Sequence, residues 1–537
     1  MNFFKDLLEN YSLTLKVSNL LRIKKKKVRV FISVLFKNFV ALIEVLIFVL
    51  LSFLITGEVA NDNLNNYFNI EQIAFLLPVL ILFRILINYL DHINSELLSI
   101  SITESLKKEI FNIFFTKSNL SFAYVNYKNT ESENIATIYK IFISIIGTTL
   151  QLIIFLVTLI LLDFKISLIL TGFVILLFFP VKKILYIFKK SAEDITMFKY
   201  DIDSILERII YNFYLIKILK KEETEKQRYE SALDRSFNLS RKLQNLIFVR
   251  YHIFNSLVTL LISIMLVQKF FNVDLSIEIL FLLIRGVQFF GNISTQYSDF
   301  LSKNHFLKNF INEKNRAYEN RGNVDHVKST NVKYIINIAD LDFKYEDSSE
   351  LIFKELNLKI VANTHNLILG PNGSGKSTLI GLMTNIHIPI KGEVKVFSDV
   401  FSYVGPVPLI FNDSLFNNLT YGVETKRLSK NDLISFVKKF KIFDSFNESS
   451  LDQNVTSRTL SSGQMQKISF IRAFLRNPDV LFLDESTSNI DQESVEIILN
   501  QLSKFNKTVI NVTHNPEKFY MADNIFQITN KKLVIND

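Results

Sequence analysis

The sequence predicts two architectures in one chain of 537 residues: an all-α six-helix membrane domain, followed by an α/β domain. Six long apolar runs lie before residue 331, where only two of the eight prolines occur. After residue 331 the pattern changes to short β-like runs separated by turns, and one of them leads into GPNGSGKST at 370–378. We therefore expect one domain over residues 1–325 and a second over 331–537.

The six apolar runs are candidate transmembrane helices. With their less apolar flanks, each reaches the roughly 20 residues that a helix needs to cross a bilayer. A helix also satisfies its own backbone polar groups in lipid. The alternative, buried helices of a large soluble protein, fits poorly with six such runs. The runs are 39–55, 73–89, 141–162, 166–181, 253–267 and 277–293.

The segments between the runs differ sharply in charge. Residues 56–72 contain no Lys or Arg, and the links 163–165 and 271–276 are only a few residues long. In contrast, segments 91–140 and 182–252 are long, polar and basic. Because basic loops stay on the cytoplasmic side of a membrane, we expect both termini and both long segments in the cytoplasm.

Each of these two cytoplasmic segments is long enough for a pair of antiparallel helices. At 1.5 Å per residue, such a hairpin projects roughly 30–50 Å beyond the membrane. We expect the tips of the hairpins near residues 119–128 and 207–217. A layout of this kind provides two surfaces that a cytoplasmic domain can contact.

Charge and cysteine content narrow the classes of function. The net charge is +9, but the basic residues flank apolar segments and lack interleaved aromatic residues, so no nucleic-acid partner is predicted. The chain has no cysteine, which excludes disulfides, thiolate metal sites and cysteine nucleophiles. Residues 1–35 carry eight Lys or Arg and no small-residue cleavage site, so we expect no cleavable signal peptide.

A glycine-rich loop follows the apolar run NLIL and fits the pattern G-x-x-x-x-G-K-[ST]. Glycines let backbone N–H groups turn toward phosphates, Lys376 can reach the β- and γ-phosphates, and Ser377 can hold Mg²⁺. We therefore predict that this loop binds ATP. Its residues are Gly370, Pro371, Asn372, Gly373, Ser374, Gly375, Lys376, Ser377 and Thr378.

The run LFLDE at 481–485 reads as a buried strand that ends in two carboxylates. We expect Asp484 to hold Mg²⁺ through water and Glu485 to polarise the attacking water. The alternative is a strand whose end is merely capped by acids. The order along the chain, phosphate loop first and carboxylates later, favours the functional interpretation.

The run LSSGQ, formed by Leu460, Ser461, Ser462, Gly463 and Gln464, resembles the LSGGQ signature of ATP-binding cassette (ABC) proteins. It precedes a helical stretch, so its serine and backbone amides could meet a γ-phosphate at the helix N-terminus.

Three single residues complete the resemblance. His514 in NVTH could contact the γ-phosphate, although a lone histidine is often structural. Tyr345 lies 25 residues before Gly370, where an aromatic ring could stack on adenine or simply belong to the core. Asp491 in SNID matches the loop that joins two nucleotide sites.

Over residues 341–514 the motifs follow the order of an ABC nucleotide-binding domain. Together with six apolar runs, they resemble a half-transporter of the ABC exporter type. The resemblance implies an ATPase coupled to transport, with ATP and Mg²⁺ at the site and hairpin tips acting as coupling helices. It also implies a homodimer or a pair with a homologous half, because the phosphate loop of one copy faces the signature of the other. A multi-pass protein of a bacterial inner membrane with a cytoplasmic ATPase domain is the expected setting.

One position departs from the family pattern. Members usually carry a glutamine in a loop that reads like YVPQ, and this glutamine helps to bind Mg²⁺ and senses the γ-phosphate. Here the loop reads SYVGPVPLIF and the position falls on Pro406, with no glutamine between 381 and 450. Proline has no side-chain donor. We expect either slower turnover or replacement of the contact by backbone and water.

Charged residues within the predicted spans are costly and often functional. Glu44, Arg84 and Arg285 fall well inside their runs, while Arg250 lies near the cytoplasmic edge of one, where it could snorkel to lipid headgroups. A buried ion pair is one interpretation. However, one acid cannot neutralise two arginines, which favours an anionic substrate.

The contexts FRILINYL, VRYHIF and LIRGVQF resemble bacterial lipid-linked oligosaccharide flippases of the exporter family. In those proteins, arginines of the cavity meet a lipid pyrophosphate, so the resemblance implies a lipid or saccharide-lipid as substrate. Two alternatives remain open: a peptide or drug exporter of the same architecture, and an ATP-binding membrane regulator with little turnover.

Overall fold

The computed structural model describes most of the chain. The described residues are 12, 16, 26–56, 70–115, 120–162, 164–269, 277–319, 324–326, 332–345, 348–423, 430–443, 446–487, 490–513, 516–519 and 521–536. Within these ranges, some side chains are not described, mainly between 165 and 193 and between 250 and 283. The chain divides into two compact units, Met1–Arg316 and Ala317–Asp537. The predicted limits of the functional domains, 325 and 331, remain a prediction.

Helices form the first unit throughout its described residues. They are α1 (Lys26–Thr56), α2 (Ile70–Phe114), α3 (Phe122–Leu162), α4 (Phe164–Tyr211), the short α5 (Phe213–Ile218), α6 (Glu222–Lys269) and α7 (Ile277–Glu319). One hydrophobic cluster packs residues of α2, α3 and α7 together, and a smaller cluster joins α1 to α2.

Among the described residues, three helical stretches are long and apolar enough to cross a membrane: Lys27–Ser52, Phe75–Phe114 and Phe122–Leu162. They overlap the first three predicted spans. The other three predicted spans also fall on helices, in α4, α6 and α7. Many side chains of these three helices lie outside the described residues. The three spans therefore stay predictions.

Both predicted hairpins are confirmed. The helix α2 ends at Phe114 and α3 begins at Phe122, while α4 and α6 are joined through α5. The tip of the first hairpin is capped from another helix. Glu207 of α4 accepts hydrogen bonds from the backbone N–H groups of Phe122 (2.9 Å) and Ala123 (3.1 Å). A carboxylate at a helix N-terminus satisfies free backbone N–H groups and interacts favourably with the helix dipole. This contact fixes α3 against α4.

A buried charged cluster joins α3 to α7 close to this cap. Lys128 and Glu131 of α3 are both buried, and Lys128 forms ion pairs with Glu131 and with Glu313 of α7. The hydroxyl of Tyr124 donates to Glu313 at 2.8 Å. Because each buried charge has an opposite partner, the cluster avoids the penalty of an isolated buried ion.

The second unit contains two sheets and a short ribbon. Its strands are β1 (Val324–His326), β2 (Tyr334–Phe343), β3 (Phe353–Val361), β4 (His365–Leu369), β5 (Lys391–Val396), β6 (Phe401–Val404), β7 (Asp413–Ser414), β8 (Asn454–Val455), β9 (Val480–Asp484), β10 (Thr508–Val512), β11 (Asn524–Thr529) and β12 (Lys532–Asn536).

The six-stranded sheet has the order β12-β11-β4-β10-β9-β6, and the neighbours from β11 to β6 are parallel. A four-stranded sheet, β1-β5-β2-β3, is largely antiparallel, and β7 pairs with β8. Five α-helices complete the described part of this unit: α8 (Lys376–Met383), α9 (Leu415–Thr420), α10 (Lys430–Lys439), α11 (Ser462–Leu475) and α12 (Gln492–Ser503).

Two hydrophobic clusters lie on opposite faces of the six-stranded sheet. One packs the antiparallel sheet and α8 against Ile368, Phe482 and Ile510. The other packs α9, α10 and α11 against the opposite face of the same strands. Because every strand from β11 to β6 runs in the same direction, the loops at their carboxyl ends meet at one edge, where open α/β sheets bind ligands.

We expect the substitution Lys128→Met to destabilise the first unit by about 3–5 kcal/mol, since it removes the buried lysine that pairs with both Glu131 and Glu313. The measurement is thermal unfolding of the full chain in detergent. A matched control is Lys108→Met, which removes an exposed (i, i+4) pair with Glu104 and should leave Tm unchanged. Equal Tm values for the two variants would contradict a role for the buried cluster.

Candidate nucleotide-binding site

The predicted phosphate loop connects β4 to α8 at the carboxyl edge of the six-stranded sheet. Strand β4 is buried along almost its whole length, as expected for the centre of a parallel sheet. Gly373 and Gly375 have φ values of 78° and 97°, in the region that favours glycine. A Cβ at Gly375 would lie 2.7 Å from the side chain of Ile352. The glycines therefore allow both the turn and the close packing of the loop.

Lys376, the first residue of α8, lies inside the loop. Its Nζ donates hydrogen bonds to the carbonyls of Gly370 (3.0 Å) and Pro371 (3.1 Å), and the residue is only 6% exposed. The backbone of the loop thus surrounds the Lys376 side chain. This position holds a positive charge next to the N-terminus of α8, which is a favourable location for an anion.

Ser377 and Asp484 lie together, as the sequence predicted for a Mg²⁺ site. Asp484 ends β9, is 3% exposed and accepts a hydrogen bond from Ser377. Burial raises the pKa of Asp484 above its ordinary value, whereas the Ser377 hydroxyl and the charge of Lys376 oppose the shift. A hydroxyl and a carboxylate are the hard oxygen ligands that Mg²⁺ prefers, so these residues fit the cation.

Glu485 leaves the strand in an unusual conformation. Its φ is 47°, a left-handed value that a residue with a Cβ adopts only at some cost. Its backbone N–H donates to the carbonyl of Val512 on the adjacent strand β10 at 2.9 Å. The backbone therefore changes direction between Asp484 and Glu485, and the two consecutive carboxylates have different surroundings. Its action on water stays a prediction.

Tyr345 contacts the first turn of α8. A hydrogen bond of 2.8 Å joins its hydroxyl to that of Thr378, and its ring meets His387 edge-on with the centroids 5.3 Å apart. The ring is part of the site, and 38% of Tyr345 is exposed. Stacking of this exposed ring on adenine stays a prediction.

The run LSSGQ forms the start of α11 through a capping box. The hydroxyl of Ser461 accepts from the N–H of Gln464 at 3.2 Å, and the side-chain oxygen of Gln464 accepts from the N–H of Ser461 at 2.9 Å. Ser462 and Gly463 occupy the first turn, and Leu460 is buried just before it. The predicted helix N-terminus is confirmed, and its contact with a γ-phosphate stays a prediction.

Asp491 is the N-cap of α12 and also reaches α11. It accepts hydrogen bonds from the N–H (2.9 Å) and hydroxyl (3.0 Å) of Ser494, and its Oδ2 lies 2.9 Å from the Nζ of Lys467. The hydrogen bond from Lys467 and the cap lower the pKa of Asp491 to about 2. Asp491 thus links the N-terminus of α12 to the signature helix.

Two predicted residues cannot be placed. His514 lies outside the described residues, and Arg250 lies on α6 with its side chain outside the description. Their roles stay predictions.

The other three charged residues of the predicted spans do come together. Glu44 of α1 forms ion pairs with Arg84 of α2 and, at 3.5 Å, with Arg285 of α7. The Glu44 side chain is 8% exposed, whereas those of Arg84 and Arg285 are 33% and 28% exposed. The Nε atoms of both arginines are buried and have no hydrogen-bond partner among the described residues. With two arginines and one glutamate, the cluster therefore has a formal net charge of +1.

Sequence reasoning missed two residues of the nucleotide site. Tyr403 lies on β6, next to β9 in the sheet, and its hydroxyl points to Asp484 at 3.5 Å. Burial, together with the Asp484 carboxylate, raises the pKa of Tyr403 to about 12, which keeps this phenol protonated. Gln466 on α11 is 1% exposed and bonds to the loops that follow β6 and β9. No short motif contains either contact, because both depend on how the strands and α11 pack.

A comparison with protein families agrees with this site. Residues 353–488, which include the phosphate loop, the signature and both carboxylates, match the family model described as ABC transporter. The matching region resembles ABC transporter B family member 22 of Arabidopsis thaliana, with 30% identity over 226 residues, and the ATP-dependent permease MDL1 of Candida albicans, with 31% identity over 224 residues. Each match covers 38% of this chain, but only 18% and 32% of those proteins, respectively.

The whole chain also resembles a solved structure. It matches a bacterial Atm1-family ABC exporter with ATP bound, with a TM-score of 0.76 and 17% sequence identity over 96% of this chain and 95% of that one. At this identity the likeness concerns the fold. The protein therefore has the fold of an ABC exporter, and residues 353–488 of its second unit match the ABC transporter family model.

Proposed function

We propose that this protein is an ATP-driven exporter of an anionic substrate. The observation that carries the ATPase part is the convergence of Lys376, Ser377 and Asp484, with Glu485 immediately after, at one edge of the parallel sheet. The exporter fold of the chain supports coupling of this site to transport. A regulator that only binds ATP is the weaker alternative, because it would have no use for Glu485.

Each residue of the site has a separate role in ATP hydrolysis. Lys376 and the N–H groups of the loop hold the β- and γ-phosphates. Ser377, and Asp484 through a water, would hold Mg²⁺, which would supply positive charge to the transferred phosphoryl group. Glu485 accepts a hydrogen bond from the attacking water and orients it in line with the bond that breaks. Tyr345, next to the phosphate loop, contacts the adenine ring.

The proposed working unit is a dimer. One chain carries one phosphate loop, 370–378, and one signature, 460–464. In the ABC family these two motifs face each other across two copies, so a second copy of this chain or a homologous half would complete each site. The role proposed for Asp491, which pairs with Lys467 of the signature helix, is to pass the state of one site to the other.

The charged cluster of the first unit supports an anionic substrate. Glu44 lies between two arginines, and each arginine keeps a buried Nε without a partner among the described residues. Planar guanidinium groups bind phosphates and carboxylates with two parallel hydrogen bonds. A lipid-linked pyrophosphoryl saccharide fits this chemistry, and so does an anionic peptide or drug. The comparisons favour neither, and the flippase resemblance is not confirmed by them.

We expect Glu485→Gln to lower ATP hydrolysis by about 100-fold or more, since a positioned general base contributes at least this factor. ATP binding should persist, because the phosphate loop is unchanged. The assay is ATP turnover by the chain in lipid nanodiscs. The control is Glu493→Gln, which removes an exposed acid from the first turn of α12. Undiminished hydrolysis by the Glu485 variant would refute the proposed mechanism.

We expect the double substitution Arg84→Gln, Arg285→Gln to abolish transport while basal ATP hydrolysis stays within about two-fold. Transport is measured in proteoliposomes with a lipid-linked pyrophosphoryl saccharide and, separately, an anionic peptide. Lys in place of each Arg should restore part of the activity, because it keeps the charge but not the planar fork. The control is Arg208→Gln, which breaks a pair with Glu225 in the cytoplasmic extension.

The two substrates separate the alternatives. Arginine-dependent transport of the lipid supports the flippase, and arginine-dependent transport of the peptide supports the peptide exporter. If both substrates cross equally well without the arginines, the cluster is a structural ion pair and the anionic-substrate proposal is wrong.

A further inference from the structure

Gln466 bridges two loops that border the nucleotide site. It lies on the second turn of α11 and is 1% exposed. Its Nε2 donates to the carbonyl of Gly405 at 2.9 Å and to the carbonyl of Ser486 at 2.8 Å. Gly405 immediately precedes Pro406, and Ser486 immediately follows Glu485. One amide group therefore connects the loop that lacks the family glutamine to the loop that carries the proposed base.

The contact uses the whole donor capacity of the side chain. An amide nitrogen has two hydrogens, and both point to buried carbonyls. The Oε1 atom of Gln466 is also buried and has no hydrogen-bond partner among the described residues. Such an arrangement is costly for a core position, so a residue with no polar function would be expected to be apolar here.

Two other hydrogen bonds join α11 to the region around Pro406. Arg472 donates to the carbonyl of Leu409 at 3.0 Å, and Ser402 donates to the carbonyl of Ala473 at 3.3 Å. These contacts hold the loop against the helix. Neither of them extends to the loop after β9, whereas the Gln466 contact does. The role of Gln466 is thus separable from general attachment of the loop.

The conformation of Glu485 indicates a role for the two hydrogen bonds of Gln466. Its left-handed backbone, with a φ of 47°, persists only if neighbouring contacts hold it. On one side, the N–H of Glu485 is bonded to Val512. On the other side, the carbonyl of the next residue, Ser486, is bonded to Gln466. The short segment 485–486 is therefore fixed at both ends.

We infer that Gln466 is a positioning residue, which holds Glu485 in its working conformation and links it to the loop of Pro406. Proline at 406 has no side-chain amide to make that link itself. In this protein the link then runs through the signature helix. The inference rests on the proposed ATPase function of Glu485.

The first test uses ATP turnover by the full chain in nanodiscs. Gln466→Met keeps the side-chain length without a donor, and we expect kcat to fall about 10-fold or more, since Glu485 is then no longer held in its working position. The KM for ATP should stay within about two-fold, because 370–378 is untouched. Arg472→Met, the control, breaks only attachment of the loop and should keep kcat within about two-fold. A kcat for Gln466→Met that equals wild type would overturn the inference.

The second test separates positioning from a purely structural effect. In a Glu485→Gln background, Gln466→Met should cause no further loss of turnover, since a positioning residue acts through Glu485. Additive losses would indicate that Gln466 acts elsewhere. Gln466→Glu, which keeps the shape but places an acceptor against two carbonyls, replaces the Met variant if the latter has a lowered Tm.

The third test does not depend on activity. Hydrogen exchange in the peptide 480–487 should be faster in Gln466→Met than in wild type, while exchange in α8 stays the same. Unchanged exchange in this peptide would refute the inference. If wild type shows no Glu485-dependent hydrolysis, the proposed function fails, and the exchange result still decides whether Gln466 holds the segment.

Discussion

The nucleotide site depends on the way in which the backbone leaves β9. Asp484 is still part of the ladder and is paired with Val512, whereas Glu485 has already turned into a left-handed conformation. Consecutive carboxylates on a continued strand would point to opposite faces of the sheet. The turn instead gives Asp484 a buried position beside Ser377 and gives Glu485 a more exposed one. Two carboxylates that are adjacent in sequence thereby have different surroundings, which suits the separate roles proposed for them.

The described residues of the first unit contain two charged clusters that differ in the ratio of acidic to basic side chains. Near the tip of the first hairpin, one lysine, Lys128, lies between two acids and close to the rings of Tyr124 and Tyr127. In the predicted spans, one acid, Glu44, lies between Arg84 and Arg285. The first cluster joins α3 to α7 firmly. Among the described residues, the second leaves the Nε atoms of both arginines without a hydrogen-bond partner and has one positive charge in excess. Such a charge is costly within a membrane span unless an anion completes it.

Hydrogen bonds from side chains to helix ends recur throughout the protein. Glu207 caps α3 from a neighbouring helix, Ser461 caps α11 within the signature, and Asp491 caps α12 while also pairing with Lys467. The last two are predicted site residues at helix N-termini, where free N–H groups and the helix dipole favour anions. The motifs of the nucleotide site are therefore also the residues that start its helices.

The sequence by itself determined the elements whose signals are local. Apolar runs of sufficient length predicted the helices, GPNGSGKST predicted the strand, loop and helix of the phosphate site, and LSSGQ predicted a helix start, because each depends on residues close together in the chain. It also indicated the excess charge of Glu44, Arg84 and Arg285 by simple counting.

Tertiary structure alone decided which distant residues meet. Tyr403 approaches Asp484 because β6 pairs with β9, and Gln466 bridges two loops because α11 packs beneath both of them. These contacts join residues 20 to 81 positions apart, and no pattern along the chain reports them. The left-handed turn at Glu485 belongs to the same class, since glutamate does not prefer that conformation and only the bonds from neighbouring elements hold it there.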